Sequence, residues 1–404
     1  MHGEKLPPFG AIQEALRKTT EHLALELHAP TAQAPDWTEF EWTIARAVAA
    51  MQGISVLLAK QLRWRGPARW REFLEEQRGL SIARDARISA LLASLDSRLR
   101  EFGVCCVGLK GAALRSQGIY QPGERPTSDV DLLARAEDLP RIEECLRTLD
   151  YVPAFAVDRH HVFESHGQEP AVAYGEHPAN PLKIEVHTRI GEALPSRLVD
   201  ITAGLRNDCP EPGLNPYRDT GALMQHLLMH AAGNMRTHAL RQVQLHDIAL
   251  LARKLNPDHW SSLLGHWWVL PPLALTERYY EGSVPAEALA VARERCHRLL
   301  RFSTARSTLF DVSWSNLRIS AFPGITWSRS PLEALSFVRS RVMPSRHAFD
   351  ELRICMKALP HLEQVPWYGR RHTSRIVRWL FTSPPRVQTM VSVRAAFESS
   401  DTEP

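Results

Sequence analysis

Asp129 and Asp131 lie two residues apart in an apolar run, residues 127–134, whose pattern predicts a β-strand. Side chains two apart on a strand point to the same side of the sheet, so both carboxylates would face one point in space. Magnesium prefers carboxylate oxygens together with phosphate oxygens. The spacing therefore predicts a site for a divalent metal and a nucleotide.

A third carboxylate comes from a later predicted strand, residues 183–188, which contains the sequence KIEVH. Ile184 and Val186 would face one side of the sheet, and Glu185 and His187 the other. Transfer from a triphosphate rarely relies on one carboxylate, and a third from a neighbouring strand completes a site for a second metal at the attacking hydroxyl. Glu185 is therefore the predicted third ligand, and His187 shares its face.

A turn upstream of the aspartates offers contacts for phosphate. The apolar run 104–109 predicts a strand that ends at Lys110 and Gly111 and continues into a helix. Backbone amides and a cation meet at such a turn, and glycine allows close approach. Arg125 and Ser128, just before the aspartates, are expected to add further donors to the triphosphate.

These motifs resemble those of the nucleotidyltransferase superfamily related to DNA polymerase beta, in particular an uncharacterised bacterial branch with LKG, RPxSDxDL and ExH in this order. The chain has LKG at 109–111, RPTSDVDL at 125–132 and EVH at 185–187. The similarity extends over roughly residues 40–380. It implies a transferase with a small mixed-sheet core that binds Mg-NTP and transfers a nucleoside monophosphate to an acceptor.

The site roles follow from the residues and from this resemblance together. Asp129 and Asp131 would bind both metals, Mg²⁺ or Mn²⁺, and Glu185 would bind the metal at the acceptor and help to activate its hydroxyl. The wider superfamily has a Gly-Ser pair where this chain has Lys110 and Gly111, so the phosphate contact is expected from Lys110 and backbone amides. Pyrophosphate would leave.

Three further residues are candidates for lining the pocket: His187, His230 and Asp247. His226 and His230 stand four apart on one predicted helix, which is a metal-ligand spacing, but no third ligand is fixed beside them. We therefore predict that they form a hydrogen-bonded core pair. Asp247 would either hold its helix against the core or line the nucleotide pocket.

The 404-residue composition is that of an ordinary globular protein, with a formal charge of +4 that does not by itself argue for nucleic-acid binding. The six cysteines lack zinc spacing, which suits buried thiols in a reducing cytosol. We find no secretory signal and no membrane span, and we expect a cytoplasmic protein. A kinase is disfavoured because the chain has neither GxxxxGK[ST] nor GxGxxG.

The periodicities predict an α/β (α+β) protein in which a small mixed β-sheet nucleotidyltransferase core is flanked by helical regions. The predicted divisions are a polar, loosely attached extension at 1–35, a helical region at 36–102, the catalytic core at 103–195, a helical domain at 196–386 and a disordered tail at 387–404.

Several smaller elements are also predicted. Strands are expected at 161–165 and 171–174, and a single helix at 285–300. The apolar block 267–275 contains two prolines and is interpreted as a helix end and a loop. The basic run 369–381 is predicted to be a solvated amphipathic helix, with contact to a membrane surface or RNA as the alternative.

The acceptor is the open part of the functional prediction. We favour a small molecule, a peptide or a protein. The alternative is RNA, since the motifs also resemble toxin or abortive-infection enzymes that modify tRNA ends. A further alternative is a catalytically silent protein that binds nucleotide or a partner. No motif identifies the NTP, ATP included, and the oligomeric state and pathway are equally unmarked.

Overall fold

The structure is a computed structural model. It describes residues 6–157, 160–165, 174–207, 210–318, 320–346, 374, 377, 378, 380, 381 and 385–401. The predicted strand at 171–174, except for Tyr174, and most of the basic run at 369–381 lie outside these residues.

Helices precede and follow a central sheet region. The first helices are α1 (Phe9–Glu26), α2 (Glu39–Met51), α3 (Ser55–Gln61) and α4 (Ala68–Glu101). The sheet region contains β1 (Cys105–Gly108), α5 (Gly111–Ser116), β2 (Asp129–Leu133), α6 (Leu139–Arg147), β3 (Tyr151–Val157), β4 (His160–Ser165), β5 (Lys183–His187), β6 (Gly191–Ala193), β7 (Leu198–Asp200), α7 (Thr202–Leu205) and β8 (Gly213–Asn215). The later helices are α8 (Thr220–Thr237), α9 (Gln242–Ala252), α10 (Pro257–Leu263), α11 (Leu270–Tyr279), α12 (Ala286–Arg295), α13 (Arg298–Arg306), α14 (Leu309–Val312), α15 (Pro331–Val342) and α16 (Val387–Asp401).

Six strands form one mixed sheet in the order β3-β4-β5-β2-β1-β8. Strand β2 runs parallel to β5 and β1 runs parallel to β8, while the other neighbours are antiparallel. Strands β6 and β7 pair separately. A mixed sheet flanked by helices on both sides in sequence confirms the predicted fold class.

One face of the sheet is apolar and closed by helices. Val130 and Leu132 of β2 and Ile184 and Val186 of β5 are buried in a cluster that includes residues of α4 and α6. Because side chains alternate along a strand, the residues between them face the opposite side. The burial of this apolar set therefore fixes which side chains of β2 and β5 can reach the site.

The predicted loose attachment of residues 1–35 is wrong for the part that forms helix α1. Helix α1 buries Ile12, Leu16 and Leu23 almost completely in the main hydrophobic cluster. Successive positions lie four and seven residues apart and form one stripe along the helix. Leaving such a stripe in water would cost about 1.5–3 kcal/mol per large side chain, so the helix packs against the body of the protein.

The predicted disorder of the tail 387–404 is also wrong for most of its length. Residues Val387–Asp401 form helix α16, which packs against α2. Val393 and Ala396 are fully buried, and the ring of Phe397 stacks on that of Phe40 at 5.9 Å. Val393 and Ala396 lie three residues apart, which is helical spacing and indicates one apolar face of a packed helix.

Two predictions about later helices need correction. Pro271 and Pro272 begin helix α11 instead of ending one, because proline fits the first turn, where the backbone amide needs no helical partner. The helix predicted at 285–300 is broken into α12 and α13 around Cys296. Nδ1 of His297 accepts a hydrogen bond from the backbone amide of Leu300 at 3.4 Å and caps the second helix.

Within the described residues, no single helix is long and apolar enough to cross a membrane. By length and composition alone, helices α2 and α3 pass this test as a pair, with a bend of 111° between them.

Candidate functional site

The parallel pairing of β2 and β5 places the predicted carboxylates side by side. Asp131 pairs in register with Glu185, and Asp129 pairs with Lys183. Asp129 and Asp131 share one face of β2, and Glu185 and His187 share the same face of β5. The apolar residues between them anchor the opposite face, so the four polar side chains all point away from the α4 and α6 side.

Asp131, Glu185 and His187 form a compact cluster in which one donor atom of each lies within 4.8 Å of the others. Nε2 of His187 lies 3.0 Å from Oδ1 of Asp131 and 3.7 Å from Oε2 of Glu185. Asp129 is on the same face but is not part of this cluster. The structure therefore brings two of the three predicted carboxylates together and adds a histidine to them.

Lys110 reaches this cluster from the end of β1. Its Nζ lies 2.9 Å from Oδ1 of Asp131. The backbone at Lys110 has a φ of 43°, which is costly for a residue with a side chain. Its amide donates a hydrogen bond to the hydroxyl of Tyr217 at 3.1 Å, and that hydroxyl lies 2.7 Å from Nδ1 of His226. These contacts hold the strained turn so that the ammonium group faces Asp131.

The charges in the cluster shift one another. Burial and Asp131 raise the pKa of Asp129. Burial by itself would raise the pKa of Asp131, but Lys110 and His187 outweigh it and hold that pKa well below its usual range. Burial and the two aspartates raise the pKa of Glu185 to about 7. The carboxylates therefore do not titrate alike, and the raised pKa of Glu185 reflects the negative charge that gathers on this face.

Arg125, predicted to bind phosphate, is held by Asp247 instead. Its Nε and Nη2 donate hydrogen bonds to the two carboxylate oxygens of Asp247 at 2.8 and 2.7 Å. Tyr120 donates a third hydrogen bond to Oδ1 of Asp247 at 2.6 Å. Both carboxylate oxygens of Asp247 are therefore bound. Since Asp247 lies on α9, the pair connects the loop before β2 to that helix.

Gly111 allows Arg125 to pass close to the chain. A Cβ atom at Gly111 would lie 3.1 Å from Nη1 of Arg125 and 3.4 Å from Cγ2 of Thr127. Such contacts are tighter than ordinary van der Waals distances. The glycine of the LKG turn therefore has a packing role beside the predicted phosphate contact.

Arg84, which no sequence motif marked, fastens the starts of both carboxylate-bearing strands. Its guanidinium donates hydrogen bonds to the backbone carbonyls of Thr127 at 2.6 Å, Ser128 at 2.6 Å, Asn180 at 3.0 Å and Pro181 at 2.9 Å. Ser128 itself has an exposed side chain at the rim of the site. Arg84 lies in the buried stripe of α4. An arginine at a position where helical periodicity expects an apolar residue is the sequence signal for such a role.

On α8, His226 is buried and His230 is half-buried, and both take neutral hydrogen-bonding roles. Burial lowers the pKa of His226 to about 3 and holds that of His230 well below its usual value. Nε2 of His230 lies 3.2 Å from Nδ2 of Asn234. Neither histidine belongs to a metal cluster in the described residues. His230 also lines a cavity.

Two cavities share Met51 and Arg241 among their lining residues, and the first of them reaches Asp129. The first has a volume of about 410 Å³ and is bordered by Asp129 and Ser128. The second has a volume of about 380 Å³ and is bordered by His230 and by residues of α9 and α16. The first helices, the sheet and the later helices together therefore enclose space next to Asp129.

The donor atoms suit a divalent cation. Carboxylate oxygens of Asp131 and Glu185, with Asp129 on the same face, are the ligands that Mg²⁺ and Mn²⁺ prefer, and His187 offers a nitrogen that Mn²⁺ accepts more readily than Mg²⁺. The Lys110 ammonium on Asp131 shows that this point already attracts positive charge. The residues present therefore fit a metal-dependent site.

Residues 38–266 match a family described as uncharacterised nucleotidyltransferase. The match covers more than half of the 404 residues, and the chain belongs to this family. It is a transferase of nucleotidyl groups, and the family implies an NTP substrate. No curated protein and no solved structure matches the chain significantly.

Proposed function

We propose that the protein transfers a nucleoside monophosphate from an NTP, such as ATP, to a small-molecule, peptide or protein acceptor, in a reaction that requires Mg²⁺ or Mn²⁺ and releases pyrophosphate. The observation that carries this proposal is the in-register pairing of Asp131 with Glu185 on adjacent parallel strands, with Asp129 on the same face. Three acidic side chains on one face carry more negative charge than the single Lys110 ammonium offsets, which favours a divalent cation there.

The roles assigned to the residues follow from their positions. Asp129, Asp131 and Glu185 would hold the metal, and His187 would orient Asp131 or act as a ligand. When bound, the metal would offset charge on the triphosphate and lower the pKa of the attacking hydroxyl. Glu185, which pairs in register with Asp131 on the same face, would also accept the proton of that hydroxyl.

Of the four residues that the motifs suggested for phosphate binding, we propose direct contacts for three and a different role for Arg125. Lys110 is placed 2.9 Å from Asp131 and can reach a phosphate held at the same point. Gly111 and Ser128 lie close enough along the chain to contribute. The guanidinium of Arg125 is already bound by Asp247, so Arg125 would hold the loop before β2 in place instead of contacting phosphate.

We also infer that the chain belongs to the bacterial branch with the LKG, RPxSDxDL and ExH motifs, and that it acts in the cytoplasm. The three motifs and their order support the first inference. The four cysteines in the described residues, Cys105, Cys106, Cys145 and Cys296, are free thiols, which suits a reducing compartment.

The proposal is tested with the full-length protein, each of the four NTPs labelled at the α-phosphate, and Mg²⁺ or Mn²⁺. Separate reactions receive a metabolite pool, a peptide and protein pool, and total tRNA, and both pyrophosphate release and transfer of label are measured. Label in the first two pools supports the proposed acceptor class. Label confined to tRNA would replace it with the RNA alternative.

A double variant, Asp129→Asn with Asp131→Asn, is expected to lower pyrophosphate release by at least about a thousandfold, because removing charge-stabilising groups in such sites typically costs two to three orders of magnitude each. Asp258→Asn, a change of the same kind on the exposed start of α10, is the matched control and should retain full activity. Circular dichroism checks that both proteins fold. Full activity in the double variant would place the site elsewhere.

A further inference from the structure

The cationic side chains around the carboxylates differ in whether they already form ion pairs or hydrogen bonds within the protein. Lys110 is bound to Asp131 at 2.9 Å, and Lys183 forms an ion pair with Glu164 at 2.5 Å. Arg241 is a further cation whose charge acts on Asp129. The first two cations therefore already have protein partners.

The two arginines near the starts of the strands are also occupied. The Arg84 guanidinium donates to four backbone carbonyls, and that of Arg125 donates to both oxygens of Asp247. In contrast, the side chain of Arg241 makes no hydrogen bond and no ion pair with any described residue. Its backbone is engaged by Gln244: the amide donates to Oε1 of Gln244 at 2.9 Å, and the carbonyl accepts from the Gln244 amide at 3.0 Å.

Arg241 lines both cavities and lies directly before helix α9. Its charge acts most strongly on Asp129 and more weakly on Asp247 and Glu176. No carboxylate oxygen of these residues comes within ion-pair distance of it. The residue is exposed to solvent within the cavity, so an incoming ligand can reach the guanidinium.

A guanidinium in this position is matched to a phosphate. Its planar fork can donate two parallel hydrogen bonds to phosphate oxygens, and guanidinium loses hydration more easily than ammonium. The space on one side leads to Asp129, and the space on the other leads to the cavity beside His230. A phosphate bound there would leave room for the rest of a nucleotide.

We propose that Arg241 binds the phosphate chain of the NTP from the helical side of the site, opposite Lys110 on the sheet side. This inference rests on the proposed function. It assigns to Arg241 the phosphate contact that the sequence pattern had assigned to Arg125, and it makes the start of helix α9 part of the substrate site.

The test uses inorganic triphosphate with Mg²⁺ as the probe, because the base is unidentified, and measures its dissociation constant by calorimetry. Arg241→Gln is expected to weaken binding about tenfold to a hundredfold, the loss typical of a charge-assisted hydrogen-bonded contact. Arg241→Lys keeps the charge without the fork and should show an intermediate loss. Arg253→Gln, an exposed arginine at the other end of α9, is the matched control and should bind like wild type.

Binding of the four NTPs and the four nucleosides separates the remaining outcomes. NTP affinity should fall in Arg241→Gln while affinity for any nucleoside that binds is unchanged. Triphosphate binding equal to wild type in Arg241→Gln would overturn the inference and leave the proposed function standing. An equal loss of nucleoside and triphosphate binding would also overturn it, since Arg241 would then only maintain the cavity. Failure of the wild-type protein to bind any NTP with Mg²⁺ or Mn²⁺ would overturn the proposed function and this inference together.

Discussion

At the scale of single residues, the most consequential contact is the pair formed by Arg125 and Asp247. The two residues are 122 positions apart, and their side chains are 16% and 1% exposed. A buried carboxylate that loses its partner retains the desolvation cost without the compensating hydrogen bonds. The pair therefore connects the loop before β2 to α9, the helix that Arg241 precedes.

Arg125→Ala is expected to lower the free energy of unfolding by about 3–5 kcal/mol, because Asp247 would be left buried and unpaired. Adding Asp247→Asn should recover part of this loss. Urea unfolding of both variants measures the effect. Arg17→Ala removes one partner of an exposed pair with Glu14 and serves as the control, with an expected change of less than about 1 kcal/mol. Equal losses in Arg125→Ala and Arg17→Ala would contradict this account of the buried pair.

At the scale of elements, helix α4 aligns the two strands that carry the carboxylates. Arg84 is the point of contact, because its guanidinium donates to backbone carbonyls just before β2 and just before β5. The register of the two strands sets the distance between Asp131 and Glu185. A helix that precedes the sheet in sequence is therefore needed to shape the site.

Arg84→Lys should retain a folded protein but lower kcat about tenfold to a hundredfold with a smaller change in KM, if the proposed transferase reaction is the activity. A single ammonium group cannot replace four hydrogen bonds in a fixed plane, and small misplacements of reacting groups are costly. Steady-state kinetics in the transfer assay give the two constants separately. Arg87→Lys, on the same helix and exposed, should behave like wild type. A change confined to KM would argue against a positioning role for Arg84.

Helix α16 provides a second test at this scale. Val393→Asn is expected to lower the free energy of unfolding by about 2–4 kcal/mol, since it removes a fully buried apolar side chain and introduces a polar one. Arg394→Asn, at the exposed neighbouring position, should change it by less than about 0.5 kcal/mol. Equal, near-zero effects of both substitutions would mean that the segment does not pack as the structure has it.

At the scale of the whole molecule, buried neutral histidines make the fold sensitive to acid. Burial lowers the pKa of His226 to about 3 and the pKa values of His238 and His246 to about 4. The unfolded chain would protonate these groups near their ordinary pKa of about 6.5. Between about pH 4 and 6.5 the unfolded state therefore binds more protons, and the free energy of unfolding falls as the pH falls.

His246→Phe should reduce this acid sensitivity. At pH 5 the wild-type His246 is expected to cost about 2 kcal/mol of stability relative to pH 7, and phenylalanine removes that term. The substitution suits the site, because the ring of His246 lies 5.4 Å from that of Tyr280 and its Nδ1 has no hydrogen-bond partner among the described residues. Urea unfolding at pH 5 and pH 7 gives the difference, with exposed His177→Phe as the control. An unchanged pH dependence in His246→Phe would contradict this assignment.

Local patterns in the sequence were enough to predict the carboxylates and the strands that carry them. The alternation around Asp129, Asp131 and Glu185 determines which side chains share a face, because side chains on a strand repeat every two residues. The helix that carries His226 and His230, which is α8 in the structure, was predicted from similarly local spacing. The sequence also predicted a turn at Gly111, but it did not predict that Arg125 packs close to this glycine.

Only the tertiary structure decided how the cations are used. Arg125 looked free to bind phosphate in the sequence, but folding places Asp247 against it, and Arg241, which no motif marks, is left without a side-chain partner among the described residues. The attachment of α1 and α16 was decided in the same way, by apolar surfaces far away in the chain. The physical reason is one of range. Which side chains of a strand share a face depends on residues next to each other in sequence. The partner of a charged or apolar side chain depends on which distant segments the fold brings within a few ångströms.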